Sequence, residues 1–174
     1  NGTASNLVSS DSVYTFDVTP TQDGEVKITV PEGIAEDGAG NNSSNSSIIT
    51  FTYDSTVPTV AISSDISSAV TNVAQLSINI TFSEEVTGFD SSKINLGNGT
   101  LATGSFQQSS NKVYAFGVTL STEDYVTVDI AGEVASDAAG NKNTVATQYK
   151  VLYDATRPTV SIATTESSPT QKTS

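Results

Sequence analysis

The feature that most constrains this chain is a stretch that occurs twice with a fixed spacing. Residues 37–41 read Asp-Gly-Ala-Gly-Asn, and residues 137–141 read Asp-Ala-Ala-Gly-Asn. Each copy runs on to a Tyr-Asp-x-Thr-x-Pro-Thr-Val segment, at residues 53–60 and 153–160. Every matched pair lies 100 residues apart, and the same offset relates residues 13–16 to 113–116. A fixed period of this length predicts stacked structural units.

Alternation of apolar and polar side chains predicts the strands of the repeated unit. Between residues 76 and 82 every second side chain is apolar, which is typical of a strand with one face on the core. The same pattern recurs at 114–120, 126–130 and 149–153, and shorter runs lie at 60–62, 94–96 and near Phe106. About seven short strands per unit, separated by Gly, Asn, Asp and Ser turns, predict an all-β immunoglobulin-like sandwich. No window shows helical periodicity.

The repeat divides the chain into one complete and two incomplete units. Residues 55–154 form the complete one. Residues 1–54 are predicted to be the C-terminal part of a repeat, because Asn1-Gly2-Thr3 matches Asn98-Gly99-Thr100 once a three-residue insertion in the later copy is allowed for, and nothing corresponds to the opening strands. Residues 155–174 are interpreted as the first strand and start of a further repeat, or as a strand that joins one subunit to the next.

Two interpretations of the incomplete units stay open. Either the 174 residues are a window on a longer tandem array, or chains join end to end, with a terminal strand of one completing the open sandwich of the next. The tail beyond Ile162 is polar, so it could replace the first strand but not the strand at residues 76–82.

The residue types that are missing exclude several classes of function. The chain has no Cys and no His, which excludes Ser-His-Asp and Cys-His catalysis and thiolate or imidazole zinc sites within it. Its formal charge of −12 disfavours nucleic acid and anionic membrane surfaces as partners. No apolar run approaches the roughly 18 residues of a membrane span. We expect no enzyme activity and no required cofactor, because the acidic residues lie in turns repeated from unit to unit.

Acidic residues at turns and junctions are candidate Ca²⁺ ligands, since carboxylate oxygens are the donors that this ion accepts. The alternative interpretation is that they are solvated turn residues, with Asp and Asn closing a tight loop before the last strand. None of these segments has the spacing of a dedicated calcium loop. The candidates are Asp37 and Asp137 in the repeated loops, Asp54 and Asp154 at the junctions, and Glu84 and Glu85 after the long strand.

Asn-x-Ser/Thr sequences are candidate sites for N-linked glycans if the chain is secreted by a eukaryote. O-linked glycans are a further option, because the chain is rich in Ser and Thr. The candidate acceptors are Asn1, Asn41, Asn42, Asn45, Asn79 and Asn98.

Several segments together resemble the bacterial Ig-like repeats found in tandem in large surface adhesins and extracellular proteins. They are residues 58–60 (Pro-Thr-Val), 82–90 (Phe-Ser-Glu-Glu-Val-Thr-Gly-Phe-Asp), 98–100, 134–141 and 153–158. The resemblance covers residues 55–154 and the partial units on either side. It implies a stalk or spacer role, and some related arrays bind Ca²⁺ at their linkers, which points to Asp54 and Asp154.

We therefore expect a non-enzymatic structural module of an extracellular filament or adhesin stalk at the cell surface. Its partners would be neighbouring repeats or copies of itself, end to end. One alternative is an adhesin domain that binds glycans or host proteins, which would require an aromatic or apolar surface cluster in one unit. The other is an accessory module of a secreted hydrolase.

Overall fold

The computed structural model describes residues 1–163, and this range is all-β. One 3₁₀ turn at Ser91–Lys93 is its only helical element. The strands are β1 (Thr3–Ser10), β2 (Val13–Thr19), β3 (Gly24–Ile28), β4 (Ile49–Tyr53), β5 (Val60–Ser64), β6 (Val70–Thr71), β7 (Gln75–Phe82), β8 (Ile94–Gly97), β9 (Gly99–Leu101), β10 (Gln107–Gln108), β11 (Val113–Leu120), β12 (Tyr125–Ile130) and β13 (Tyr149–Tyr153).

Strands β5 to β13 build one sandwich of two sheets, as the alternation predicts. One sheet has the order β10-β11-β7-β5, with β9 also paired to β11; the other has the order β6-β13-β12-β8. All neighbours are antiparallel except β6, which runs parallel to β13. The sequence pattern missed β6 and β9, because strands of two and three residues are too short to show a period of two.

The core lies between these two sheets. Along β7 exposed and buried side chains alternate without a break, and Ile78 and Ile80 are fully buried. Val126 and Val128 of the opposite sheet belong to the same apolar cluster. Burial of one such side chain contributes about 1.5–3 kcal/mol, so the alternation itself accounts for the pairing of the sheets.

Residues 1–54 form two separate hairpins, β1–β2 and β3–β4, which we call the N-terminal hairpins. Strands β2, β3 and β4 lie at positions equivalent to β11, β12 and β13 after the 100-residue offset. Thr3 is opposite Thr19, as Thr100 is opposite Thr119, which matches the alignment of the two Asn-Gly-Thr segments. That the hairpins belong to a full sandwich remains a prediction.

The chain after β13 forms no strand over residues 155–163. Val160 and Ile162, expected to begin a further repeat, are 92% and 96% exposed. The rest of the predicted third unit, including Ser167-Ser168, lies outside the described residues. Within residues 1–163 no helix has the length and apolar character that crossing a membrane requires.

Candidate functional site

The junction between the N-terminal hairpins and the sandwich is held first by Asp23. Its carboxylate accepts hydrogen bonds from the Ser55 backbone N–H (2.8 Å), the Ser55 hydroxyl (2.7 Å) and the Thr56 hydroxyl (2.5 Å). The bond from Thr56, followed by those from Ser55, holds the pKa of Asp23 below its usual value. We call this arrangement the linker clamp.

The same clamp recurs after the sandwich. Glu123 lies 100 residues after Asp23, and its carboxylate accepts from the Ala155 N–H (2.9 Å) and the Thr156 hydroxyl (2.7 Å). The sequence analysis singled out neither acid, because the partners of each lie 32 and 33 residues away in the chain. The signal that would have found them is the offset itself, which places an acid at both positions.

The second half of the linker is bonded to the sandwich. The Pro58 carbonyl accepts from the Thr144 N–H at 2.9 Å, and Thr59 and Ser83 exchange two hydrogen bonds of 2.9 Å. Pro58 is buried. A linker of about four residues is therefore tied to the preceding hairpin at one end and to the sandwich at the other.

The repeated Asp-x-Ala-Gly-Asn loop is closed by its own first and last residues. Asp137 accepts from the Asn141 backbone N–H (2.9 Å) and side-chain amide (2.8 Å), and Asp37 and Asn41 make the same pair at 2.9 Å each. Gly140 has φ of 96°, a conformation that needs glycine. Only the second loop reaches the junction, where the Asn141 amide also donates to the Asp54 carbonyl at 3.0 Å.

Three of the six candidate metal ligands meet at this point. Asp54, Glu84 and Asp137 each contribute an oxygen, and these atoms lie within 4.8 Å of one another. We call them the junction carboxylates. Asp137 is buried, and Asp54 and Glu84 are half-buried. Lys112, a cation whose charge acts on Glu84, donates to the Ser83 carbonyl at 2.7 Å.

The charges of this group act on one another. Burial, then the charges of Asp137 and Asp54, raise the pKa of Glu84, and Lys112 opposes them. Burial also raises the pKa of Asp137, but hydrogen bonds from Asn141 and the turn amides outweigh it, so the net pKa is lowered. The site thus concentrates negative charge. Three hard oxygen donors at this separation fit a Ca²⁺ ion, whose ligands lie about 2.3–2.6 Å from the metal.

The other three candidates lie apart from the junction carboxylates. Glu85 is exposed beside Glu84. Asp154 is exposed after β13, and Asp37 is exposed in the first loop. Asp154 and Asp37 are the equivalents of Asp54 and Asp137 after the 100-residue offset.

The candidate glycan acceptors fall into two groups. The side-chain amides of Asn1, Asn41 and Asn98 donate to Gln22, Asp37 and Thr122 respectively. Asn42, Asn45 and Asn79 are exposed, and within residues 1–163 their side-chain nitrogens donate no such hydrogen bond. Because glycosylation uses the amide nitrogen, the second group is the more accessible one.

An all-β sandwich entered and left through bonded Asp-x-Thr-x-Pro linkers is a structural or adhesion-type module. Residues 54–153 match the family model described as bacterial Ig-like domain, and the chain belongs to that family. The resemblance seen in the sequence is confirmed. The family is a non-catalytic one, and its members are often exposed at surfaces. No curated protein matches the chain.

Proposed function

We propose that the chain is a spacer in an extracellular stalk or filament, where Ig-like units follow one another at a fixed orientation. The observation that carries this proposal is the linker bonded at both ends. Asp23 holds Ser55 and Thr56 on one side, and Asn141 of the sandwich holds the Asp54 carbonyl from the other. The repeated clamp at Glu123 supports the same geometry at the next junction.

The mechanism is mechanical. Each hydrogen bond across the linker contributes about 0.5–1.5 kcal/mol, and together they disfavour bending at a segment that would otherwise act as a hinge. The net charge of −12 makes the units repel one another, and this repulsion favours an extended chain over a collapsed one.

The orientation of the hairpins and the sandwich tests this proposal directly. The chain contains no cysteine, so Ser10→Cys and Ser109→Cys provide two unique sites for spin labels. Both positions are exposed. Pulsed electron spin resonance should give one narrow distance distribution in the parent chain.

A matched pair of variants shows whether the junction sets that distribution. Asp23→Ala with Asn141→Ala removes the bonds at the junction and should broaden it. Glu123→Ala with Asn41→Ala makes the same changes at equivalent positions elsewhere and should leave it narrow. A broad distribution in the parent, or equal widths in both variants, would contradict the proposal.

We also propose that the junction carboxylates share a Ca²⁺ ion that stiffens the junction. Thermal unfolding in Ca²⁺ and in chelator should then differ, with a stabilisation of about 2.7 kcal/mol at a hundred times the dissociation constant. Asp54→Asn with Glu84→Gln should abolish the difference. Asp154→Asn with Glu85→Gln should preserve it, and an identical response in the two variants would show that the ion binds elsewhere.

The two alternatives, a ligand-binding adhesin domain and an accessory module of a hydrolase, stay predictions from the sequence. No specific contact among residues 1–163 favours either of them.

A further inference from the structure

Strand β2, which forms one wall of the cleft between the N-terminal hairpins, exposes side chains whose equivalents in the sandwich are buried. Tyr14 is 65% exposed and Phe16 is 38% exposed, but their equivalents Tyr114 and Phe116 are 1% and 3% exposed. An apolar surface beside an unpaired strand edge is a template for another strand. The apolar walls of the cleft include Phe16 and Val18 of β2 and Val26 and Ile28 of β3.

The sandwich shows which strand fits against such a surface. There β7 pairs with β11, and β5 pairs with the far edge of β7. The register places Tyr114 opposite Ile80, Phe116 opposite Ile78, and Val118 opposite Leu76.

In the N-terminal hairpins, β2 pairs with β1 alone within the described residues. Among residues 1–163, no strand lies beside the edge of β2 that corresponds to the β7 side of β11. The missing element is therefore a strand of alternating apolar residues with the length of β7.

A second copy of the chain is a poor donor of that strand. Its β5 and β7 are paired with each other, and the apolar side chains of β7 are at most 1% exposed, so donating β7 would dismantle its own core. Its exposed Val160 and Ile162 are equivalent to Val60 and Ile62 of β5, and β5 pairs with β7 and not with β11.

We propose that the cleft binds a segment of the same polypeptide that lies ahead of β1 and has the chemistry of residues 60–97. A strand like β7 pairs with β2 in this arrangement, with apolar residues opposite Tyr14, Phe16 and Val18, and a strand like β5 covers its outer edge. The inference rests on the proposed function as a serial array, and it identifies the segment that closes the first unit.

A chain extended with a second copy of residues 55–97 ahead of Asn1 tests this arrangement. Hydrogen–deuterium exchange of the β2 amides should slow on the order of 100-fold relative to the 174-residue chain, because paired edge amides exchange only by local opening. The same extension carrying Ile78→Asp and Ile80→Asp in the added copy should give no protection. The β11 amides, protected throughout, report that the sandwich is folded.

The other possible results of this exchange experiment also test whether the cleft binds a preceding segment. Unprotected β2 amides in the extended chain, with β11 protected, would overturn the inference but leave the narrow spin-label distribution of the proposed function intact. Concentration-dependent protection of β2 in the unextended chain would assign the cleft to a second copy and overturn it as well. If the extension prevents folding, a peptide of residues 72–97 added to the 174-residue chain takes its place; protection of β2 supports the inference and its absence overturns it.

Discussion

Glu84 lies half-buried at the junction, beside the carboxylates of Asp54 and Asp137. Burial and the charges of Asp137 and Asp54 raise its pKa above the ordinary value of 4.5. The folded chain therefore keeps a proton just above that pH when the unfolded chain has lost it, and folding stability falls as the pH rises through this window. Without divalent ions, Glu84→Gln should be more stable than the parent at pH 7, and the difference should shrink below the ordinary Glu pKa.

Urea unfolding at a series of pH values in chelator measures this effect. Glu85→Gln, at the exposed neighbouring position, is the control and should change little. A Glu84→Gln variant that is less stable than the parent at pH 7 without metal would show that the carboxylate has a stabilising partner.

Asn143 is a buried polar residue that supports the loop before β13. It is 2% exposed, and its amide donates to the carbonyls of Ala131 (3.0 Å) and Thr144 (2.8 Å) and accepts from the N–H groups of Val134 (3.0 Å) and Ala135 (2.8 Å). Asn143→Ala leaves these groups without partners and should cost about 3 kcal/mol of unfolding free energy.

Chemical denaturation measures that loss, with Asn95→Ala on the exposed face of β8 as the matched control. The control should stay within about 0.5 kcal/mol of the parent. Equal effects of the two substitutions would mean that the bonds of Asn143 do not stabilise the fold.

At single positions the sequence supplied the right kinds of residue but not their partners. Asp54, Glu84 and Asp137 were all candidate ligands, because carboxylates in turns can be recognised by type. These three carboxylates meet because residues 54, 84 and 137 converge in space, and Glu85 does not join them. A sequence pattern does not show this convergence. The roles of Asp23 and Asn143 were missed for the same reason. The partners of Asp23 lie 32 and 33 residues away in the chain, and those of Asn143 include residues 8 and 12 positions away.

Among the elements, β7 is the strand on which the sandwich depends. It is the inner strand between β11 and β5, and Ile80 on its buried face is fully buried. Ile80→Ala should lower the unfolding free energy by about 2–5 kcal/mol, because it removes apolar contacts and leaves a cavity.

Ser77→Ala on the exposed face of the same strand provides the comparison. It should change stability by less than about 0.5 kcal/mol. Equal losses measured by denaturant unfolding would contradict the assignment of the two faces.

Strands with an alternating apolar pattern were predictable, and β1, β6 and β9, which lack one, were not. The alternation over β7 and β11 identified both strands and their buried faces, because a period of two extends over eight residues in each. β6 is set by its parallel pairing with β13, and β9 by its pairing with β11, so both depend on contacts that no local pattern records.

On the scale of the whole molecule, the 100-residue offset predicted which strands are equivalent, and the positions of β4 and β13 follow it residue for residue. It located the two linker segments at residues 53–60 and 153–160, but not the hydrogen bonds that hold them, because a repeat in sequence does not show which side chains meet in space. Those contacts come from Asp23, Asn141 and the residues they hold.

As a spacer, each unit of this kind should add length at a fixed orientation. Small-angle X-ray scattering of chains with one, two, three and four copies of residues 55–154 in series measures it directly. The maximum dimension should grow by the same increment with each added copy. Growth that falls away with copy number, as for flexibly joined units, would contradict it.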